Sequence, residues 1–508
     1  MKRLCFSTFI LIASLNSFAQ DAAIEFAETI TQEDLRELLT IVASDAMEGR
    51  DTGARGQKMA AAFIADHFRR LGLAPVVPTA NGKSYYQRFD LERRAAGDSY
   101  MIIDGERLSN GAETLYMGSG STKNEIELST VYAGDGSENA FDRIDVTGKA
   151  VIVTAALGSS VRREIAARAY KNGAELVLLE SAKDDDEYKS YVKRYGRYVM
   201  RGSLGFSSKG EKDNGVFYIS PSIASTLLKT TPDKYEAIAT KVANGDLSSI
   251  DKVKSVKFSY KTETNIEVVE TENIMGYLEG SDKKDELIII TAHYDHVGRD
   301  GDKIFNGADD DGSGTTSILE LAEAYITASK AGKGPRRSIL FMTVTGEEKG
   351  LLGSQYYTEN PIFPLENTVV NLNIDMVGRT DEAHKEDREF VYLVGSDRLS
   401  SELHELSEKA NETYTKLSLD YTYNDQDHPD RIYYRSDHWN FAKNNVPIIF
   451  YFNGTHEDYH QDTDTVDKIE FDLLQKRAQL VFYTSWIIAN RDQRIVVDKL
   501  SEATIDSK

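Results

Sequence analysis

The segment Ile288-Ile-Ile-Thr-Ala-His-Tyr-Asp-His296 decides the fold of this 508-residue chain. Its apolar half predicts a buried strand, which places His293 and Asp295 at the C-terminal end of that strand. The segment Gly307-Ala-Asp-Asp-Asp-Gly-Ser-Gly314 follows shortly afterwards. In open α/β sheets, ligands bind outside the carboxyl ends of the strands. A histidine, a carboxylate and a loop of consecutive aspartates in that place therefore predict a metal site.

Strand and helix patterns alternate on both sides of this segment, from residue 263 to residue 492. The predicted strands are 273–278, 287–292, 338–345, 369–374, 390–394 and 446–452, and the predicted helices are 313–329, 400–413 and 471–490. Repeated alternation of this kind predicts an α/β fold, with a mixed, mostly parallel sheet sandwiched by helices.

The rest of the chain divides into four segments. Residues 1–19 combine Lys2 and Arg3 with a short apolar run and a small-residue end, which predicts a cleaved signal peptide and not a membrane span. Residues 20–109 predict an N-terminal helical part of the same domain, and residues 110–262 an inserted β-rich accessory domain. Residues 493–508 form a charged tail.

Composition narrows the function and the metal chemistry. A formal net charge of -22 argues against binding to nucleic acid or to anionic membranes. The single cysteine, Cys5, lies inside the predicted signal peptide, so a secreted or periplasmic protein without disulfides is expected. The same observation excludes thiol nucleophiles and thiolate metal sites. Any metal must be held by His, Asp and Glu.

Candidate ligands recur at five places in residues 263–492, each beyond a predicted strand or in a loop. They are His293 with Asp295, Asp309 to Asp311, Glu347 with Glu348, Asp375, and His460. Taken singly, each is explained as well by a turn, a helix cap or a solvated side chain. Together they favour a shared cation, because an unpaired carboxylate beside an apolar strand is costly unless a cation or hydrogen bonds compensate.

This set of residue types points to zinc, with manganese or cobalt as alternatives. Two histidines and three carboxylates are too many for one catalytic zinc, which usually keeps about three protein ligands and an open position. They suit two zinc ions about 3.5–4 Å apart that share one carboxylate.

The motifs resemble those of the secreted two-zinc aminopeptidases of peptidase clan MH. The resemblance covers the C-terminal unit in order, through Thr291-Ala-His-Tyr-Asp295, Asn306-Gly-Ala-Asp-Asp-Asp-Gly-Ser-Gly314, Thr345-Gly-Glu-Glu-Lys-Gly350, Leu352-Gly-Ser354, Asn373-Ile-Asp-Met376 and Tyr459-His-Gln-Asp-Thr463. The segment Met47-Glu-Gly-Arg-Asp-Thr-Gly53 is similar to the start of such enzymes, and residues 110–262 resemble a protease-associated domain. A zinc exopeptidase fold is therefore expected.

The resemblance implies a metal-binding role for five residues. His293 and Asp375 would bind one zinc, Glu348 and His460 would bind the other, and Asp310 would bridge them. The peptide bond that follows Asp310 is expected to be cis, as it is in the family.

The resemblance also implies roles beside the metals. Asp295 would orient His293, and Glu347 would be the general base. Tyr459 would either donate to the oxyanion or pack within its loop. In the element Ser436-Asp-His438, the histidine would contact substrate or brace its loop, and bracing is favoured. His296 is predicted to be a loop histidine outside the site.

The leading hypothesis is a secreted zinc aminopeptidase that acts on peptides with a free N-terminus. One alternative is a carboxypeptidase or dipeptidase on the same scaffold, for which Arg431 and Arg435 could bind a substrate carboxylate. A single-zinc glutaminyl cyclase is a second alternative, disfavoured because all five ligand positions are present. A non-enzymatic binding protein is the third, and no ligand or base residue is missing to suggest it.

Overall fold

The computed structural model describes residues 22–155, 159–207, 215–425 and 427–499. These residues form two compact units, and the chain leaves unit 1 after Asp90, forms unit 2 over Leu91–Val269, and returns to unit 1 at Glu270. The predicted signal peptide lies outside the described residues. Within the described part of the chain, every helix is too short or too polar to cross a bilayer.

Unit 1 is organised around a mixed sheet. Its strands include β1 (Thr264–Leu278, from Glu270 onward in this unit), β2 (Lys283–His293), β3 (Arg337–Val344), β4 (Thr368–Ile374), β5 (Phe390–Val394), β6 (Ser418–Asp420) and β7 (Ile448–Phe452). Their order across the sheet is β1-β3-β2-β4-β7-β5-β6. The four central strands, β3, β2, β4 and β7, run parallel to one another, whereas β1 pairs antiparallel with β3 and β5 pairs antiparallel with β7. The carboxyl ends of the four parallel strands therefore meet at one edge.

Helices cover both faces of this sheet. They are α1 (Gln32–Val42), α2 (Arg55–Leu71), α3 (Gly314–Lys330), α4 (Leu352–Glu359), α5 (Ser401–Ala410), α6 (His438–Ala442) and α7 (Phe471–Asn490). In β2, Ile288 and Ile290 pack into one hydrophobic core and Ile289 packs into the other. Because successive strand residues point to opposite faces, an uninterrupted apolar run is what a strand buried on both faces requires.

Unit 2 contains an eight-stranded mixed sheet. Its strands are Tyr100–Ile103, Glu106–Ser109, Leu115–Met117, Ile126–Tyr132, Ala150–Thr154, Leu176–Glu180, Val216–Ile219 and Lys257–Lys261, and its longer helices are Ser159–Lys171, Asp185–Arg201 and Pro232–Ala243. Neighbouring strands from Ile126 to Ile219 pair in parallel, so the unit has an α/β core of its own.

The structure differs from the predicted segments in three places. The helical expectation for residues 20–109 fails beyond α2, because Tyr86–Ala96 is a strand whose first residues alternate between buried and exposed. Residues 91–109 belong to unit 2, which is longer at both ends than the predicted insertion. The described start of the charged tail is packed: Ile495 is buried, and the Arg494 side chain donates to the Thr368 carbonyl at 2.8 Å.

Candidate metal centre

The predicted ligands converge at the carboxyl edge of the parallel strands. His293 is the last residue of β2, and Asp375 directly follows β4. Glu348 lies just after β3, and His460 lies in the loop that follows β7. Asp310 lies between β2 and α3. Since neighbouring parallel strands end at the same edge, residues distant in sequence come within contact there.

Asp310 lies between two groups of ligands. On one side, its Oδ1 is 3.1 Å from His293 Nε2, which is also 3.5 Å from Asp375 Oδ1; these three residues are called the first position. On the other side, its Oδ2 is 3.0 Å from His460 Nε2, which is 3.1 Å from Glu348 Oε2; Asp310, Glu348 and His460 are called the second position. One carboxylate thus faces both groups, as a bridging ligand does.

The buried atoms of these groups fit a divalent cation. His293 Nε2, Asp310 Oδ2 and Glu348 Oε1 are buried without a hydrogen-bond partner among the described residues, although nitrogen and carboxylate oxygens lie close by. Burial acts against protonation of His460, yet Asp310 and Glu348 raise its pKa to about 10. Such a negative potential at converging nitrogen and oxygen donors suits a borderline cation.

The two aspartates beside Asp310 hold the backbone. The Asp311 carboxylate accepts hydrogen bonds from the N–H groups of His293 (3.1 Å), Gly314 (2.8 Å) and Met376 (3.1 Å). It therefore fastens three segments of the site to one another. The peptide bond between Asp310 and Asp311 is cis, as the resemblance implies.

Asp309 and Asp464 also hold backbone segments of the site through their carboxylates. Asp309 Oδ1 accepts from the N–H of Gly378 at 2.7 Å, and its Oδ2 is 3.1 Å from His456 Nε2. The Asp464 carboxylate accepts from the backbone N–H groups of Asp309 and Asp310. Of three consecutive aspartates, only the middle one faces the ligand groups.

Asp375 is oriented by a serine that the sequence analysis did not assign. Ser436 Oγ donates to Asp375 Oδ2 at 2.6 Å, and Asn373 Nδ2 donates to Ser436 Oγ at 2.8 Å. The neighbouring His438 is fully buried, with its Nε2 2.7 Å from the Tyr433 carbonyl oxygen. Burial lowers the pKa of His438 to about 3, so this histidine braces the loop as a neutral ring.

Asp295 contacts the site through its backbone and its side chain. Its carbonyl oxygen is 3.0 Å from His293 Nδ1, whereas its carboxylate Oδ1 is 3.9 Å away. The carboxylate instead accepts from the Thr52 hydroxyl at 2.7 Å and from the Glu347 N–H at 3.2 Å. The carbonyl thus provides the nearest oxygen to the His293 ring, and the carboxylate holds the backbone of Glu347.

Glu347 and Tyr459 line a cavity over the ligand groups. The cavity is lined by Asp310, Glu347, Asp375, Met376, Ile432, Arg435, Phe450, Phe452, Thr455 and Tyr459. Burial raises the pKa of Glu347 well above its usual range, and the charges of Asp375 and Glu348 add to this effect against that of His293. The Tyr459 ring stacks on the His460 ring at 3.9 Å, and burial raises the pKa of its hydroxyl.

His296 lies in the site, and its prediction as a loop histidine outside the site is wrong. The side chain is fully buried, with Nδ1 2.8 Å from Glu348 Oε1 and 3.7 Å from Asp310 Oδ2. Its only sequence signal is its place directly after Asp295. Because the chain turns at the end of the strand, the sequence does not specify whether this side chain points towards the site or away from it.

Arg50 supports the site from the N-terminal segment. Its buried guanidinium donates to the carbonyls of Tyr294 (2.7 Å), Val42 (2.9 Å), Asn306 (2.6 Å) and Gly307 (2.9 Å). One side chain therefore joins the end of β2 to the loop that carries Asp310. The motif Met47 to Gly53 resembled the start of the clan MH aminopeptidases, but that resemblance did not indicate that Arg50 supports the site.

Part of unit 1 is similar to a known peptidase family. Residues 273–485 match peptidase family M28. The chain is 25% identical over 450 residues to the aminopeptidase YwaD of Bacillus subtilis (strain 168), covering 86% of this chain and 81% of that protein.

Two solved structures share the fold. An aminopeptidase from Aneurinibacillus sp. strain AM-1 aligns with a TM-score of 0.59 at 19% identity, over 94% of this chain and 98% of its own. A zinc aminopeptidase from Bacillus subtilis, named BSAP, aligns with a TM-score of 0.53 at 21% identity, over 93% and 98%. The predicted mixed α/β fold is confirmed, and the match of residues 273–485 to a peptidase family supports the prediction of an enzyme.

Proposed function

Since residues 273–485 match peptidase family M28, we propose that this protein is a secreted aminopeptidase that uses two zinc ions. The observation that carries the proposal is the placement of Asp310 between a first position and a second position, each with a histidine and a further carboxylate. The names of the relatives support zinc as the metal and the N-terminal residue as the point of cleavage.

The chemistry that two bound zinc ions supply is activation of a water molecule and polarisation of the scissile carbonyl. His293 and Asp375 would hold one ion, Glu348 and His460 the other, and Asp310 both. Glu347, beside these ligands, would take the proton of the water and return it to the leaving amine.

Substrate would lie in the cavity above these ligands. Tyr459 keeps its hydroxyl proton because of its raised pKa, so it can donate to the oxygen of the attacked carbonyl. The cavity walls formed by Ile432, Phe450 and Phe452 favour an apolar side chain on the N-terminal residue. The free amine of the substrate would lie near the acidic ligands.

Two further parts of the proposal come from the sequence. Residues 1–19 would direct export, and the absence of cysteine after Cys5 suits a periplasmic or extracellular location. Unit 2 would be a protease-associated domain, supported by its β-rich sequence and by its insertion between Asp90 and Glu270.

The test is hydrolysis of aminoacyl chromogenic substrates by zinc-loaded protein. Leucine p-nitroanilide should be cleaved, a chelator should stop cleavage, and added zinc should restore it. N-acetyl-leucine p-nitroanilide is the matched control and should remain intact, because it lacks the free amine. If metal-loaded protein releases nothing from any substrate with a free amine, the proposal fails.

A dipeptidase or carboxypeptidase is the second candidate, favoured by the position of Arg435. This exposed arginine lines the same cavity as Glu347 and Asp375, where a guanidinium can pair with a substrate carboxylate. Arg435→Gln should then raise the KM for a dipeptide more than for its C-terminal amide. Arg431→Gln is the control, because Arg431 lies over the Tyr434 ring and does not line this cavity. Equal KM changes for acid and amide would eliminate this candidate.

A further inference from the structure

We propose that His296 is a fourth protein ligand of the second position, beside Asp310, Glu348 and His460. The proposal rests on the two-metal site proposed above, and it adds a residue outside that ligand set. It makes the two positions chemically unequal, with one histidine at the first and two at the second.

The distances around His296 match those between ligands of one ion. Its Nδ1 is 2.8 Å from Glu348 Oε1 and 3.7 Å from Asp310 Oδ2, and the three residues form a group that could hold a metal ion. Donor atoms about 2.0–2.1 Å from a tetrahedral zinc lie roughly 3.3 Å from one another. His460 Nε2 lies 3.0 Å from Asp310 and 3.1 Å from Glu348. The rings of His296 and His460 therefore both lie beside the same pair of carboxylates.

An ordinary hydrogen bond does not explain the short contact between His296 and Glu348. Within the described residues, both ring nitrogens of His296 and Oε1 of Glu348 are buried without a hydrogen-bond partner. A nitrogen that lies 2.8 Å from an oxygen without hydrogen-bond alignment is close to it but not directed at it. Ligands directed at a common third atom have this arrangement.

The surrounding backbone fixes the ring in this place. The His296 N–H donates to the Arg50 carbonyl at 3.1 Å. Gly307 packs against the ring so closely that a Cβ on it would lie 2.6 Å from His296 Cγ and Cδ2, and its φ of 56° also favours glycine. The His460 ring lies edge-on at a centroid distance of 5.7 Å. The loop that carries the bridging Asp310 therefore also leaves room for the His296 ring.

A consequence for metal binding follows. Four protein ligands are typical of closed zinc sites, whereas a site with three keeps a place for water or substrate. We therefore expect the second position to retain its ion more firmly than the first position, and partial removal by a chelator to empty the first position before the second.

The test compares His296→Asn with His296→Ala in the full chain. The amide nitrogen of Asn can replace Nδ1 as a hydrogen-bond donor to Glu348, but an amide is a poor zinc ligand. If His296 is a ligand, both variants should lose at least about 100-fold in affinity for one of two zinc ions, since even loss of an outer partner costs 10–100-fold. His404→Asn, a partly exposed histidine outside the site, is the matched control and should bind both ions normally.

The outcomes separate the hypotheses. Normal zinc affinity in both variants would overturn the proposal. Normal affinity in His296→Asn with a loss only in His296→Ala would also overturn it, because that result indicates that His296 acts only as a hydrogen-bonding brace. A wild-type chain that binds fewer than two zinc ions would instead contradict the proposed function.

A measurement on wild-type protein avoids dependence on variant folding. In protein loaded with cobalt, proton NMR should show exchangeable, strongly shifted ring N–H signals from three coordinated histidines. Signals from only two histidines would overturn the assignment of His296.

Discussion

The Thr52 hydroxyl donates a hydrogen bond to Asp295 Oδ2 at 2.7 Å, although 243 residues separate them in sequence. Arg50, two residues before Thr52, donates to the carbonyls of Tyr294 and Gly307. The segment before α2 therefore supports both the end of β2, where His293 lies, and the loop that carries Asp310. This contact with the loops of the candidate site is not evident from the sequence, in which the segment lies far from the candidate ligands.

Replacement of Arg50 by methionine should destabilise unit 1. The substitution leaves four carbonyl groups without their donor, and unsatisfied buried polar groups cost about 1–3 kcal/mol each before local relaxation and water entry. We expect a loss of about 3–5 kcal/mol in the free energy of unfolding. Urea titration with tryptophan fluorescence measures it, since Trp439 and Trp486 both lie in unit 1.

Arg55→Met is the control for Arg50→Met. The Arg55 side chain is largely exposed, and its nearest carboxylate, Glu48, is 3.8 Å away. A change below about 0.5 kcal/mol is expected, as for other surface substitutions. Similar losses in the two variants would show that the four carbonyl contacts do not stabilise the fold.

Replacement of Glu347 by glutamine should abolish turnover and leave zinc binding intact. The amide keeps the size of the side chain but no longer accepts a proton, so we expect kcat to fall by about 10²–10⁴-fold or more. Metal content by atomic emission and steady-state kinetics check both parts. Glu359→Gln, on the exposed end of α4, should leave both unchanged. Loss of zinc in Glu347→Gln would mean that the roles of Glu347 and Glu348 are exchanged.

Removal of the Ser436 hydroxyl should weaken the first position only. Ser436→Ala deletes the hydrogen bond to Asp375 Oδ2, and partners that orient a metal ligand typically contribute 10–100-fold to affinity. Zinc titration with a competing chelator should show one weakened and one normal ion. Ser281→Ala, at an exposed turn, is the control. Equal weakening of both ions would contradict the division into two positions.

The stability of unit 1 should fall as pH rises through about 8, because of Glu320. Burial, together with the charges of Asp34 and Glu323, raises the pKa of this carboxyl from 4.5 to about 8. A raised pKa means that the folded state binds the proton more firmly, so the favourable contribution is complete below about pH 4.5 and lost above about 8.

Glu320→Gln tests this dependence. The variant should match wild type near pH 5 and exceed it at pH 9 by on the order of 3 kcal/mol in the free energy of unfolding. Glu37→Gln, on an exposed face of α1, should change stability by less than about 0.5 kcal/mol at either pH. A wild-type stability that does not fall between pH 5 and 9 relative to Glu320→Gln would refute the assignment.

The sequence by itself determined the sheet and most of the candidate ligands. Continuous apolar runs such as Ile288 to Ile290 have to be buried on both faces, and charged residues at their ends are costly without a partner. This local pattern was sufficient to select His293, Asp375 and the pair Glu347 and Glu348 as candidates and to expect them at one edge. The resemblance of the motifs then supplied individual roles that the pattern alone leaves open.

Only the tertiary structure decided which atoms converge. It showed that Asp309 and Asp311 accept hydrogen bonds from backbone N–H groups, brought His296 to Glu348, and placed the Ser436 hydroxyl within hydrogen-bond distance of Asp375. It also showed that residues 86–96 form a strand and that Arg50 joins the site loops. These contacts depend on strand register and on the path of each loop, which a local pattern of hydrophobicity and charge does not specify.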